Sequence, residues 1–545
     1  SEAGKLDNIR PISIFGPIVK IMEKAILEHL LKFIKDNNIL SKKQTGFIPL
    51  LGCEVNLARL KQRVFDVNRL PGNDKKYLLF IDLKNAYDSV NHKILFDKMR
   101  KLNAPDELVN TIAKIYSFAK MKIDLKLSAI NVNRGVLQGS ILSPMLFNIY
   151  INDLIEEIDK NVFEILAYAD DIAIICKSKD ELLKAMDIID KWCLKNDVRI
   201  NKKKSGILIL QNDSIYDKDI NGYPLKNQYK YLGIMINSSI DPSNHIYETN
   251  KKLALYLKRN QWLMRSYFTP RSLLLLANYY QMSRLSYGMC VFLDNDKIMD
   301  SLEKARMKYC RSIIGLKENI KSNLLRLTLC LPKVEYLLFN RLLNVIEKYN
   351  EHFKEVPYVF GLIVNEFNKR TNANNISDKS KRYENIKWSI IKATAKQENI
   401  DINADFMTDF SSDYYKYADR RDGLLIRFMV NYGFFESRLF QTCKYCGEPN
   451  SRKHVVNHCQ EPFFIELRKK YIDKIKEMTN VKGRRNNNEN YDLEKKLLDL
   501  YFNPTPNLNT GKVLKLLKEF VAEFYIERPR IEDEEENDNQ TEDEE

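Results

Sequence analysis

Apolar positions recur at helical spacing over residues 18–36 (IVKIMEKAILEHLLKFIKD), which predicts one amphipathic helix. Between about 77 and 240 the pattern changes, and short apolar runs alternate with helical stretches. Leu78–Ile81, Ile165–Tyr168, Ile172–Cys176 and Ile207–Leu210 predict strands, while Ser143–Asp159 and Glu181–Asn196 predict helices. That alternation predicts an α/β or α+β core. From about 245 to 350 the spacing is helical again, as in Thr249–Tyr267 and Arg271–Arg284, and 351–440 continues more loosely. Residues 482–494 predict a polar loop. No fixed-period repeat interrupts this order. The longest apolar runs, such as Leu273–Ala277, fall far short of the ~18–20 residues that a spanning helix needs. No membrane partner is expected.

Length and charge sharpen the picture. A chain of 545 residues predicts about three or four structural units. Its 44% apolar content excludes a wholly disordered protein. Lys plus Arg number 87 against 73 Asp plus Glu, a net +14. The imbalance is uneven: residues 531–545 carry ten acids and no base, so the rest stands at +24. A body that basic attracts phosphate polyanions, and nucleic acid is the leading partner. The acidic end reads as a disordered tail, either solubilising or competing weakly for the basic body. Six of the nine cysteines are scattered among apolar residues and read as reduced thiols. The chain opens on Ser1 with no Met and no apolar signal, which predicts that it begins within a longer protein.

Three features of the mixed core carry candidate chemistry. Phe80-Ile81-Asp82-Leu83-Lys84-Asn85-Ala86-Tyr87-Asp88 is an apolar strand that ends on an acid. Tyr168-Ala169-Asp170-Asp171-Ile172 sets two acids between apolar runs, as at the tip of a hairpin. Gly135-Val136-Leu137-Gln138-Gly139-Ser140, followed by Ser143-Pro144, is a flexible loop opening a helix. Taken alone, an Asp-Asp pair usually just makes a turn. Together, Asp82 and Asp170 offer the hard oxygen ligands that divalent Mg²⁺ takes. Nucleotidyl transfer uses two such ions about 3.5–4 Å apart.

A further cluster lies downstream. Cys443-x2-Cys446-x7-His454-x4-Cys459 gathers four ligand-capable side chains, a common tetrahedral set for one Zn²⁺, with His458 an adjacent alternative. It reads either as a structural clip or as part of the nucleic-acid machinery.

In order along the chain, these features resemble the reverse transcriptases of LINE-type (non-LTR) retrotransposons. Ile9-Arg10-Pro11-Ile12-Ser13 resembles the family's first finger motif, and Gln44-Thr45-Gly46-Phe47 its second. Phe80–Asp88, Gly135–Pro144 and Ala167–Asp171 resemble motifs A, B and C. Asn201-Lys202-Lys203-Lys204-Ser205 resembles motif D, and Tyr231-Leu232-Gly233 the primer grip of motif E. The cysteine cluster resembles the family's downstream CCHC element.

That resemblance implies a right-hand α+β polymerase followed by a mostly helical C-terminal region. Its boundaries would be fingers 1–75, palm 76–240, thumb 241–330, helical connector 331–440, zinc element 441–460, helical segment 461–526 and acidic tail 527–545. It implies that Asp82, Asp170 and Asp171 hold two Mg²⁺ or Mn²⁺ ions. Tyr87 would be the gate against a ribonucleotide 2′-hydroxyl, with Gln138 and Gly139 against the incoming nucleotide and template base. Lys204 aligns with the motif D proton donor to pyrophosphate; a one-residue slip to Lys203, or a solvated basic turn, remains open. After Phe47 the family usually places a basic residue, but here Ile48-Pro49-Leu50 follows, which leaves Arg10 nearest to the triphosphate. Bases such as Lys251, Lys252 and Arg284 would track duplex phosphates, while the aromatics among them read as core. The implied activity is RNA-templated DNA synthesis from a primer 3′-hydroxyl, with RNA template, DNA primer or target and dNTPs as partners. The implied location is the nucleus, after cytoplasmic assembly on RNA. No nuclease signature accompanies the polymerase motifs, and a catalytically retired RNA-binding scaffold is the rival expectation.

Overall fold

The computed structural model describes residues 13–49, 51–72, 74–118, 120–121, 130–210, 218–267, 280–314, 322, 325–326, 333–350, 361, 446, 452–478, 492–493, 496–497, 500 and 510–526. Arg10, Cys443, residues 362–440, most of the predicted polar loop and the acidic tail lie outside them. Two compact units emerge: Ser1–Tyr247 with Gly288–Asp294 and Arg341–Glu366, and Glu248–Tyr287 with Asn295–Asn340 and Phe367–Glu545.

The first unit begins with helices α1 (Pro17–Asp36) and α2 (Cys53–Asn68), strand β1 (Lys76–Ile81) and the short β2 (Leu83–Lys84). Helices α3 (His92–Lys101) and α4 (Asp106–Phe118) and the short β3 (Lys120–Met121) and β4 (Ile130–Asn131) follow. Helix α5 (Ser143–Asp159), strands β5 (Glu164–Tyr168) and β6 (Asp171–Cys176) and helix α6 (Lys179–Lys195) come next. Strands β7 (Arg199–Ile200), β8 (Gly206–Leu210), β9 (Asp219–Ile220), β10 (Tyr223–Pro224), β11 (Gln228–Tyr231) and β12 (Ile234–Asn237) lead to helix α7 (Ser243–Tyr267), which runs on into the second unit.

Four strands form one antiparallel sheet in the order β5-β6-β1-β8. Side chains alternate across it. Tyr77, Leu79, Ile81, Ile165, Ala167, Ile172, Ile174 and Ile207 enter a core shared with α5 and α6. The alternate set, Leu78, Phe80, Leu166, Ala173, Ile175 and Leu208, is buried as well. That second face is covered by α2 over β5 and β6, and by β11 beside β8. Phe80 stacks on Tyr229 with centroids 4.2 Å apart and tilts against Tyr231 at 5.3 Å. Such pairs contribute about 0.5–1.5 kcal/mol each beyond the area they bury. A sheet covered on both faces needs no polar alternation, so its strands read as continuous apolar runs.

Helix α5 forms over the residues that the pattern predicts, with Pro144 in its first turn and most of its length buried. Helix α1 forms too, but its amphipathicity is displaced. Ile18, Ile21 and Met22 are exposed, whereas Glu23 is buried and receives a hydrogen bond from the Ser140 hydroxyl. Both the segment before α2 and α2 itself are fastened to β5 by charge, since the buried Glu164 pairs with Lys43 and with Arg63.

In the second unit, Tyr256 stacks on Tyr280 at 4.8 Å, and the Arg284 guanidinium lies 4.2 Å from the Tyr280 ring centre. Lys251 and Lys252 are exposed. Helices Pro462–Met478 and Thr510–Ile526 pack through Phe464 on Phe524 and Tyr471 on Phe520, flanked by the Lys470–Glu523 ion pair. Phe464, Leu467, Tyr471 and Ile475 recur at the spacing of one helical face. No described helix is long and apolar enough to cross a membrane.

Candidate active site and metal centre

Three carboxylates converge because of strand register. β1 and β6 pair with Ile81 opposite Ile172, so the next step along each strand brings Asp82 level with Asp171. β5 and β6 pair through Tyr168 and Asp171, which leaves Ala169 and Asp170 as the hairpin turn. Asp82 is pinned at both backbone groups. Its N–H donates to Ser205 Oγ at 3.0 Å, and its carbonyl accepts from Asn201 N at 2.8 Å.

The acids repel one another. Partial enclosure in the cleft, then the charges of Asp170 and Asp82, push the Asp171 carboxyl up to about 6, although the residue as a whole is exposed. A divalent cation would relieve that repulsion, and an all-carboxylate donor set is the kind that Mg²⁺ or Mn²⁺ takes. These residues therefore fit the ions.

The turn is held by the segment Gln44–Gly46. Ala169 adopts φ +54°, a conformation that favours glycine. Gln44, which is 2% exposed, brackets it: Oε1 accepts from Ala169 N at 2.8 Å and Nε2 donates to Ala169 O at 3.3 Å. Gly46 permits this approach, since a Cβ there would stand 2.2 Å from Ala169 N.

The loop before α5 forms the facing wall. Val136 N donates to Tyr87 O at 2.8 Å, and Gln138 Nε2 donates to Asp88 Oδ1 at 3.2 Å. Ser13 N donates to Gln138 O at 2.6 Å, and a Cβ on Gly139 would come within 2.3 Å of Ser13 O. Tyr87 stacks on Phe147 with centroids 5.0 Å apart. Burial, then the charge of Asp170, hold its phenol well above the ordinary range, and its hydroxyl is buried without a hydrogen-bond partner. The cleft so formed has a volume of about 440 Å³, within the usual span of ligand sites. Asp88, Asp170 and Asp171 line it, and no described lining residue is basic.

Lys204 is not among the residues that line the cleft. It is exposed; its backbone N–H donates to Asn201 Oδ1 at 3.3 Å and its carbonyl accepts from the Lys226 ammonium at 2.9 Å. Lys226, which the sequence pattern does not single out, sits closer in. Its ammonium donates to Lys204 O at 2.9 Å, lies 4.9 Å from the Tyr229 ring centre and feels the charge of Asp82. Burial lowers its pKa, with Asp82 opposing. Tyr231-Leu232-Gly233 falls at the β11–β12 turn, where Leu232 and Gly233 both have positive φ, as two-residue hairpin turns prefer.

In the second unit, Cys446, His454 and Cys459 offer ligand atoms that all lie within 4.8 Å of one another. Cys446 Sγ is 3.1 Å from His454 Nε2 and 3.9 Å from Cys459 Sγ. The helix Arg452–Asn457 carries His454, and both His458 N and Cys459 N fold back onto His454 O. His454, not His458, belongs to the group. Arg468 donates to Cys459 O at 2.6 Å, fixing the turn from the next helix. Two thiols and an imidazole are a zinc donor set.

Residues 2–236 match the family described as "Reverse transcriptase (RNA-dependent DNA polymerase)". The chain is 27% identical over 376 residues to the RNA-directed DNA polymerase from mobile element jockey of Drosophila melanogaster, covering 65% of this chain and 40% of that protein. It is 24% identical over 265 residues to the Pol polyprotein of the retrotransposable element R2 of Nasonia vitripennis, covering 44% and 25%. The chain thus spans about two fifths, or less, of these relatives. A telomerase from Candida tropicalis superposes with a TM-score of 0.37 at 14% identity, covering 69% of this chain and 56% of that one, too loosely to define a shared architecture.

Proposed function

Because residues 2–236 are a reverse transcriptase domain of the LINE-type, non-LTR class with a Cys/His cluster downstream, we propose that the chain extends a primer 3′-hydroxyl on an RNA template with dNTPs. The observation that carries this reading is the convergence of Asp82, Asp170 and Asp171, the last two of which line the cleft. Divalent ions held by these acids would lower the pKa of the attacking hydroxyl and neutralise departing pyrophosphate. The protein's own part is positional: Ser205 and Asn201 fix Asp82, the β5–β6 turn presents Asp170, and Tyr87 closes the sugar side. Gln138 and Gly139 form the wall for nucleotide and template base.

Residues 1–75 would act as fingers, 76–240 as palm and 241–330 as thumb, with 331–440 a connector to the zinc element. A zinc ion would be held by Cys446, His454 and Cys459, with Cys443 as the fourth ligand. Lys204 would donate the proton to pyrophosphate, and Arg10 would meet the triphosphate. The natural setting would be target-primed synthesis in the nucleus, after cytoplasmic assembly on RNA.

A second reading, an RNA-binding scaffold retired from catalysis, draws on the lack of a described basic residue lining the cleft. Primer extension on an RNA template with dNTPs separates the two. Mg²⁺-dependent product is expected; RNA binding without any product would favour the scaffold.

A further inference from the structure

We infer that Gln44 is a positioning residue for the acidic hairpin: its amide locks the backbone of Ala169 and so sets where the Asp170 carboxylate points. This role presupposes that Asp170 holds metal, as proposed above. Ala169 stands immediately before Asp170, at φ +54°, where a non-glycine residue is disfavoured by roughly 1–2 kcal/mol. Its methyl side chain offers no hydrogen bond of its own to stabilise such a turn. The stabilising contacts come from 125 residues away in sequence.

An amide suits the task because it donates and accepts at once. Gln44 Oε1 takes Ala169 N–H at 2.8 Å and also Gly46 N–H at 2.9 Å, while Nε2 reaches Ala169 O at 3.3 Å. Both backbone polar groups of the strained residue are thereby satisfied inside the protein. An ionised Glu could not donate, and an apolar side chain of the same length could do neither. Gly46 lets the segment lie close enough for these bonds, since a Cβ there would stand 2.2 Å from Ala169 N. The rest of the segment grips the hairpin lower down. Thr45 N, Thr45 Oγ1 and Asn56 Nδ2 all donate to Ala167 O, at 3.0, 3.2 and 3.0 Å. Thr45 therefore shares the burial of Gln44 and its location without touching the tip.

The test uses Mn²⁺ as the probe on the full chain, titrated by electron paramagnetic resonance, beside kcat and KM for primer extension. Gln44→Met should weaken Mn²⁺ binding by about 10- to 100-fold, as loss of a group that orients a ligand does. It should lower kcat while leaving the KM for dNTP nearly unchanged. Thr45→Val, with its lost hydroxyl at the base of the hairpin, should lower the melting temperature without moving Mn²⁺ affinity. Ala169→Gly should restore much of the Mn²⁺ affinity of Gln44→Met, because glycine takes φ +54° without help. Gln44→Glu, which keeps length and acceptor but loses the donor to Ala169 O, serves as a second variant should Gln44→Met not fold; it too should lose Mn²⁺ affinity. Wild-type affinity in a folded Gln44 variant, an equal loss in Thr45→Val, or no rescue by Ala169→Gly would overturn the positioning role. Asp170→Asn runs alongside. If it binds Mn²⁺ like wild type, the metal-binding reading itself falls, an outcome distinct from failure of the Gln44 variants alone.

Discussion

The acidic cleft and the Cys/His cluster are both candidate metal centres, yet they are built in opposite ways. The cleft draws Gln44, Asp82, Gln138, Asp170 and Ser205 from across some 160 residues and holds them by strand register, backbone hydrogen bonds and a doubly covered sheet. The cluster takes Cys446, His454 and Cys459 from one short stretch of sequence that includes a six-residue helix. In the first, folding sets the geometry of the acids before any ion arrives. In the second, ligands drawn from one short stretch would couple metal binding to local folding. The contrast teaches that removing metal should silence one centre and unfold the other.

The largest effect is expected at the cluster. Cys459→Ser should abolish binding of one zinc equivalent and open residues 446–459 to protease, because apparent zinc binding energies of about 10–16 kcal/mol are folding energies in units this small. Elemental analysis with limited proteolysis checks this. Zinc-free wild-type protein with the same protease resistance would erase the contrast.

Next comes sugar choice in the preformed cleft. Tyr87 is held by its stack on Phe147, so Tyr87→Ala should open space without collapsing the wall. Incorporation of rNTP relative to dNTP should rise by roughly 10- to 100-fold, the scale of one pocket contact. An unchanged ratio would make the ring purely structural.

A smaller effect concerns pH. The Asp171 carboxyl titrates near 6, raised by enclosure and by Asp170 and Asp82. Below that pH a proton competes with the cation, so apparent Mg²⁺ affinity should fall as pH drops through about 6 and level off above it. A Mg²⁺ titration of extension rate at several pH values reads this directly, and a flat profile would remove Asp171 from the ligand set.

The smallest effect is expected from the acidic tail. Truncation after Arg530 should tighten non-specific RNA binding by less than about tenfold, and most at low salt, where screening is weakest. Equal affinity at low salt would leave the tail a solubilising extension.

Much of the sheet was legible because its strands are buried on both faces: the runs at Leu78–Ile81, Ile172–Cys176 and Ile207–Leu210 appear as strands one or two residues longer at most. Helix α5 was legible because its apolar residues, from Met145 to Ile158, recur at helical spacing after Pro144. Helix α2 was not read, since its buried face includes Glu54 and Asn56, whose partners Arg341 and Ala167 lie far away in sequence. The exposed apolar face of α1 was likewise hidden from periodicity, which cannot say which side meets the core. The three acids were visible as motifs, but the Gln44 clamp and the approach of Lys226 were not, because both depend on tertiary geometry.

The most direct measurement is primer extension on an RNA template by Asp170→Asn protein, with RNA affinity determined on the same preparation. Loss of extension with RNA affinity nearly unchanged is predicted, since the substitution removes metal-holding charge and no phosphate contact. Extension at the wild-type rate would contradict the assignment of the cleft as the catalytic centre.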